Sequence, residues 1–406
     1  MHRALLLFFG MVGCVGVGGD VTYYEDVRPI LQDQCVRCHN GQGLGVGNFN
    51  DPDVVLAFAE RIKVRTQERT MPLAVADPTC RPYVGADHMT LDRQQRNVLA
   101  RWVDQGALLG DSADAIDGTQ FESRLENPDM ELRIPEYTPT FDDPGNPGNE
   151  YRCFALDPGH HEDFFVTALD ALIDEQRLVH HVVVGAVPRD SLRPDAFDPE
   201  GMDCIDDDMG AVENMLAAWA PGSQPQIFEQ GAGMRIAKDE VLMVQMHYYL
   251  SGPDTMGLSD RSGYAMRTAS SVQTELEVLT LGSVNFRIPA DDPAYIFEEA
   301  YQSSRNLRIH GVFPHMHVLG AGYSLQVDDR KDGCLVQSDI YDFHNQLTYL
   351  FEEPMTVAAG ETLSWSCTWN NSTSNPDRLY SPPRETLYGE RTDEEMCFFF
   401  TVVEVD

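Results

Sequence analysis

The chain has 406 residues, 42% of them hydrophobic, which is enough for two or three domains with real cores. Its 65 acidic side chains outweigh 29 basic ones and leave a net charge of −36. Acidic stretches such as DCIDDD and DDPGNPGNE are spread along the chain and form no tail, which excludes nucleic acid and anionic lipid headgroups as partners and describes a solvated surface.

In chain order, the opening MHRALLLFFGMVGCVGVGGD combines a short basic start, an apolar run from Ala4 to Val12, and then Gly13 and Cys14. Residues 1–19 have the pattern of a secretory signal, too short to span a bilayer as a finished helix. Met11-Val12-Gly13-Cys14 resembles a bacterial lipoprotein cleavage box, in which Cys14 becomes the lipidated first residue; an ordinary signal peptide with a stray Cys is the alternative. The expectation is an exported protein, periplasmic or attached to the outer membrane of a bacterium through a lipid on Cys14. No later apolar run is long enough to span a membrane, so a soluble mature body is expected. Export permits disulfides. Setting aside Cys14, Cys35 and Cys38 leaves six cysteines, at 80, 153, 204, 334, 367 and 397, an even set that arithmetic alone does not pair.

Residues 20–110 have helical periodicity. YYEDVRPILQDQC puts Val27, Ile30 and Leu31 on one stripe, and TLDRQQRNVLARWVDQGA puts Leu91, Val98, Leu99, Trp102 and Val103 on another, with Thr90 as N-cap and Gly106 as stop. Between them stands C-x-x-C-H, here Cys35, Cys38 and His39. Two thiols at this spacing add to the haem vinyls and the adjacent His ligates the iron. A zinc half-site is the competitor, but the region has no second closely spaced Cys pair. VRPILQDQCVRCHN resembles bacterial c-type cytochrome domains, where a Met before Pro often supplies the second axial ligand. RTMPL therefore nominates Met71, with His88 and Met89 in ADHMT as rivals. The expectation is a small α-helical cytochrome c domain holding one haem c over 20–110, then an acidic linker over 111–129 with no apolar period.

Beyond residue 130 the pattern changes to short alternating runs separated by Gly, Pro and Asp: DFFVTALDALI, LVHHVVVGAV, EVLMVQMHYYL, TELEVLTLGSV, YSLQVDD, MTVAAGETLSWSCTW and MCFFFTVVEV. These read as strands and imply two all-β sandwich domains, assigned to 130–283 and 284–406. DALIDEQRLVHHVVVG leaves room for a helical turn.

The strands carry the remaining chemistry. In PHMHVLG, His315 and His317 share a face at i and i+2 and can grip one metal together. Imidazole suits Zn, Cu, Ni and Fe alike, and an added thioether points to copper. DEEMCFFFTVV offers Met396, which alone would be core filler. VHHVVVG is harder, because adjacent strand residues point to opposite faces. His180 and His181 share a metal only if the backbone kinks or the rings use different nitrogens; otherwise one is a ligand and the other a packed core histidine. His247 in QMHYY is unremarkable by itself.

Taken as an ordered set, His-His, Q-x-H-Y, H-x-H and E-M-C resemble the copper type II, ascorbate-dependent monooxygenases, the family of peptidylglycine α-hydroxylating and dopamine β-monooxygenases. The likeness runs from about 130 to 406 and includes NEYRCFALD, MLAAWAPGSQP, GAGMRI and SWSCTWNNST. It implies two jelly-roll-type sandwiches with one copper each, facing a solvent-filled cleft. His180, His181 and His247 would hold an electron-transfer copper; His315, His317 and Met396 would hold the oxygen-activating, catalytic one. Gln245 matches a further residue of the motif. The resemblance also implies Cys153–Cys204 and Cys367–Cys397 disulfides, leaving Cys80 and Cys334 as an interdomain bridge or two free thiols.

The implied activity is hydroxylation of a substrate C–H bond with O2, with electrons from ascorbate, from a redox protein, or from the fused haem. Peptide hydroxylases place an Arg two residues before H-x-H and a Tyr four after the ligating Met. Phe313 and Phe400 stand there instead, which removes a carboxylate clamp and points to a small apolar or aromatic substrate. Whether those two Phe line a pocket or a core is open, and Tyr151 or Tyr323 could add polarity. His160, His161, His310 and His344 match no ligand motif and read as structural or exposed. The rival reading is a non-enzymatic copper and haem electron-transfer lipoprotein.

Overall fold

The computed structural model describes residues 19–41, 45–73, 75–118, 124–143, 147–204, 215–250, 252 and 254–405; the body of the signal segment, with Cys14, lies outside the described residues. Among the described residues no helix is long and apolar enough to cross a membrane.

A turn of π-helix at Tyr23–Val27 leads into the helix Arg28–Gln34, where Pro29 occupies the first turn, whose N–H groups have no partner within the helix. The helices Pro52–Gln67 and Arg93–Asp104 follow. Asp92, not Thr90, caps the latter. Its carboxylate accepts the Gln95 N–H while the Gln95 side chain reaches back to the Asp92 N–H, and Thr90 stands two residues too early to make this reciprocal pair. Gly106 stops the helix at φ 95°, in the left-handed region. Val27, Leu31, Leu91, Leu99, Trp102 and Val103 close one small core, with Ile30 and Val98 packed at its margin.

Residues 75–89 leave this helical unit. Pro78 and Pro82 bar a helix, and Ala76, Tyr83 and Met89 are buried in the core of the C-terminal sandwich instead. The Ala76 N–H donates to the Tyr349 hydroxyl at 2.9 Å, the Asp77 N–H donates to the Gln337 carbonyl at 2.8 Å, and a Cys80–Cys334 disulfide fastens the limb. The expected self-contained domain over 20–110 is therefore a helical unit plus a limb that belongs to the far sandwich. The described parts of 111–129 are likewise pinned. Arg28 pairs with Asp117 at 2.6 Å, and the buried Leu125 donates its N–H to Asp170 at 2.8 Å.

From Met130 onward the chain is mostly β-sheet. One nine-stranded sheet runs through both halves. Met130–Arg133, Gly263–Ala269, Phe164–Leu172 and Ala232–Ile236 form its first part. Ala232–Ile236 then pairs in parallel with Thr274–Gly282; Phe398–Glu404, Leu307–His315 and Tyr349–Val357 continue the sheet, and the short strand Gln226–Ile227 pairs with Phe164–Leu172 as the ninth. A five-stranded sheet (Met202–Asp203, Asn149–Leu156, Glu240–Tyr249, Val179–Pro188, Met215–Trp219) covers the first half. A four-stranded sheet (Asp292–Gln302, Thr362–Asn371, Gly320–Val327, Cys334–Ser338) covers the second. Each pair of layers encloses its own core: Val166, Val184 and Met246 lie in one, Ile309, Leu325 and Trp365 in the other.

Leu276–Gly282 is paired along its length with Phe398–Glu404, while Leu276 is also buried in the core of the first half, so this strand joins the two halves. The segment before the His pair makes the single helical turn for which the sequence leaves room: the Leu178 and Val179 N–H groups both donate to the Glu175 carbonyl, at 3.0 and 3.2 Å. Cys153–Cys204 and Cys367–Cys397 are both disulfides.

Candidate metal centres

The strand Val179–Pro188 pairs with Glu240–Tyr249, and the register breaks at the histidines. Val179 faces Tyr248, His181 faces His247, and His180 is the extra residue between them. A bulge of this kind re-aims side chains that a regular strand would send to opposite faces. His180 Nδ1 lies 3.1 Å from His181 Nδ1, which lies 3.3 Å from His247 Nδ1. Nitrogens bound tetrahedrally at the usual metal distance of about 2.0–2.1 Å stand about 3.3 Å apart. The spacing therefore fits a single ion held by three Nδ1 atoms.

Neighbouring groups fix those nitrogens. His247 donates its Nε2–H to Asn149 Oδ1 at 2.8 Å, which leaves Nδ1 as the ligand atom. The Tyr151 ring stacks on His247 at 4.2 Å, and its hydroxyl meets Thr392 Oγ1 at 2.9 Å across the two halves. All three histidines are buried. Burial, with help from the surrounding imidazoles, lowers His180 to about 3 and holds His181 and His247 well below the usual range. Neutral rings are what a metal needs. Asn149 was not singled out from the sequence; its place opposite Tyr249 depends on a strand pairing that no local motif announces.

His315 ends the strand Leu307–His315, and His317 follows it with ring centroids 5.2 Å apart. Here the opposite nitrogens are tied off. His315 donates its Nδ1–H to Gln346 Oε1 at 2.5 Å and His317 donates to the Glu394 carbonyl at 3.0 Å, so both Nε2 atoms remain for a ligand. Burial lowers these rings to about 4 and about 3. Met396, 5% exposed, lines the same pocket as both histidines. Its neighbour Glu395 is fully buried and organises the site. The Glu395 carboxylate accepts N–H bonds from His317 (2.9 Å), Leu319 (2.6 Å), Met396 (3.3 Å) and the Trp369 indole (2.8 Å). Burial pushes its pKa up to about 7 against the pull of those donors. In the sequence this residue is only the first of E-M-C, with no role assigned to it.

One pocket of about 570 Å³ receives both sets, with His181, His315, His317 and Met396 all in its wall. The His181 and His315 rings are 6.1 Å apart. The solvent-filled cleft expected between the two sites is therefore closed, because the halves share a sheet and the Phe343–Gln346 segment fills the gap. Phe343 stacks on His180 at 4.5 Å and Gln346 holds His315. His344, read as structural or exposed, stands beside the His180 ring at 5.3 Å. Phe313 and Phe400 face each other on adjacent strands with rings 6.0 Å apart, and both line the pocket. Gln245 and Tyr151 line it too, whereas Tyr323 belongs to the C-terminal core and supplies it no polarity.

In the helical unit the thiols of Cys35 and Cys38 are free, while the other six described cysteines are paired. The N–H groups of Cys38 and His39 both donate to the Cys35 carbonyl, at 3.1 and 2.9 Å, which folds the motif into one turn. His39 donates its Nδ1–H to the Val46 carbonyl at 3.0 Å and stacks on Phe49. Met71 stands beyond the helix Pro52–Gln67 and is 36% exposed, whereas Met89 is buried against the C-terminal sandwich.

Residues 276–403 match the family model described as copper type II ascorbate-dependent monooxygenase, C-terminal domain. That range carries His315, His317 and Met396, and also Phe313 and Phe400 on the paired strands Leu307–His315 and Phe398–Glu404. A comparison with curated proteins finds no match.

Proposed function

We propose that the protein is a copper-dependent monooxygenase that hydroxylates a C–H bond of a small apolar or aromatic substrate with O2. The observation that carries this reading is the meeting of two histidine sets, one completed by a bulge and one by Met396, at a single pocket walled by Phe313 and Phe400. Copper at these sites would supply oxygen activation and storage of the two electrons that hydroxylation requires. The chain's own contribution is positional. Asn149 and Tyr151 hold His247, Gln346 and the Glu394 carbonyl orient His315 and His317, and Glu395 braces the backbone on both sides of the second site. Phe313 and Phe400 keep water from the pocket and offer no charge to a substrate carboxylate, which disfavours peptides ending in glycine.

The electrons come from ascorbate, a redox protein, or a haem c on Cys35 and Cys38, with His39 as one axial ligand and Met71 as the candidate for the other. A net charge of −36 slows the approach of an anion such as ascorbate, which favours a donor fused to the chain. Export, with a lipid on Cys14 attaching the protein to a bacterial outer membrane, completes the reading. Oxygen uptake and an untargeted comparison of hydroxylated metabolites, with and without the copper-loaded protein, test it. New hydroxylated product in step with oxygen consumption is expected; copper and haem that cycle electrons and yield no product would make the chain an electron-transfer lipoprotein.

A further inference from the structure

We propose that Thr392, which stands close to Met396 in the C-terminal half, is a positioning residue for the other metal centre, the three-histidine set of the first half. This rests on the copper reading above and extends the groups that hold His247 across the divide between the halves.

The short segment Arg391–Met396 faces both ways. Its later residues are fastened to the C-terminal sandwich. The Glu394 carbonyl accepts the His317 Nδ1–H, the Glu395 carboxylate accepts N–H bonds from His317, Leu319 and the Trp369 indole, and Cys397 just beyond is bonded to Cys367. Its first two residues reach the other half, where Arg391 pairs with Asp143 and Thr392 meets Tyr151. Thr392 is therefore offered to the first half from a fixed base.

What it meets there is the pair of groups that set His247. Asn149 and Tyr151 lie two apart on one strand and share a face, and Tyr151 stands directly opposite His247 on the next strand. The Tyr151 ring stacks on the imidazole at 4.2 Å, and Asn149 Oδ1 accepts its Nε2–H at 2.8 Å. Thr392 Oγ1 lies 2.9 Å from the Tyr151 hydroxyl and 3.5 Å from Asn149 Oδ1. Asn149 Oδ1 only accepts and a threonine has one O–H, so Tyr151 donates to Thr392 and Thr392 donates on to Asn149. One hydroxyl thus ties the stacking ring to the amide acceptor. Thr392 is 2% exposed, Asn149 4%, Tyr151 8% and His247 0%, so bulk water is not there to take over these bonds. Outer partners of this kind set the orientation and basicity of a metal-binding imidazole.

The test uses the full-length copper-loaded protein. Thr392→Val keeps the branched shape and removes the hydroxyl, while Thr392→Ser keeps the hydroxyl. Competition with a Cu(I) chelator reads both copper affinities, and electron paramagnetic resonance reads the Cu(II) environment at the three-histidine set. Thr392→Val should weaken that copper by about 10-fold, the lower end of the effect of residues that support a ligand, and alter its hyperfine splitting. The copper at His315, His317 and Met396 should bind as before, although Thr392 is its neighbour in sequence. Thr392→Ser should restore the wild-type values. Tyr151→Phe removes the same bond from its other end, so the double variant with Thr392→Val should weaken the copper by less than the product of the two single effects. A folded Thr392→Val protein with an unchanged three-histidine copper, a loss confined to the Met396 site, failure of Ser to rescue, or single effects that simply multiply overturns the assignment. Absence of copper from the three histidines of the wild type overturns the copper reading itself, and the wild-type titration shows that separately.

Discussion

Replacing Met396 by Leu separates a packed methionine from a metal ligand. The side chain is 5% exposed, and Leu nearly conserves its volume, so packing alone puts the cost below about 1.5 kcal/mol. That is a fall of a few degrees at most in the melting temperature of a chain this long. The backbone has little room to compensate. Glu395 accepts the Met396 N–H, and Cys397 is tied to Cys367. The new side chain stays in the pocket wall with no sulfur to offer. Loss of a partner that merely supports a metal ligand costs about 10–100-fold in affinity, so loss of a ligand should reach at least the upper figure, about 2.8 kcal/mol. Competition with a chromophoric Cu(I) chelator measures this directly. The variant should keep one tight copper at His180, His181 and His247, bind the second at least about 100-fold more weakly, and lose hydroxylation while melting almost normally. Two wild-type copper affinities with normal turnover would return Met396 to the core.

Asn149→Ala removes the acceptor that orients His247 and should weaken the three-histidine copper by about 10–100-fold without affecting the His315/His317/Met396 site; the same chelator titration reads both. The metal-free protein should lose stability in acid. The folded values of His180, His315 and His317, about 3 to 4, lie below the unfolded value near 6.5, so the unfolded state binds more protons. Their contribution is complete above about pH 6.5 and is lost as the pH falls toward 3–4, at up to about 1.4 kcal/mol per pH unit for each group. Urea midpoints measured at pH 7.5, 6 and 5 should decline in that order, and a flat profile would contradict it. Cys80→Ser with Cys334→Ser opens a crosslink with a sequence separation of 254 residues and should cost up to about 5.5 kcal/mol in the chain-entropy model. The limb at 75–89 should become the first site of limited proteolysis, with both metal sites retained.

What could be read in advance, and what could not, follows from the range of each interaction. His315 and His317 announce themselves because a strand repeats every two residues, so their shared face is local information. His180 and His181 break that rule, and the bulge that reconciles them is created by pairing with a strand some 66 residues away, through His247. The role of Glu395 was not legible: it sits in an acidic run yet is fully buried, with four N–H groups converging on it. At 75–89 the stretch with Pro78 and Pro82 read as a continuation of the helical unit, since nothing local in Ala76 or Tyr83 says which of two cores will bury it. The parallel pairing of Ala232–Ile236 with Thr274–Gly282, which merges the two sandwiches and closes the cleft, is equally non-local. Aromatic substitution at 313 and 400 was legible as the loss of a charged clamp, but whether the two Phe line a pocket or a core was not; their cross-strand register puts both in the pocket wall.

The most direct test of copper monooxygenation is isotopic. The copper-loaded protein would be given ascorbate, 18O2 and a panel of neutral alkylbenzenes, beside a glycine-extended peptide, and the products analysed by mass spectrometry. One 18O atom in a hydroxylated alkylbenzene, absent without copper and absent from the His315→Ala variant, is the predicted result, with little conversion of the peptide. Product oxygen derived from water, or oxygen reduced to peroxide with every candidate left unmodified, would contradict it.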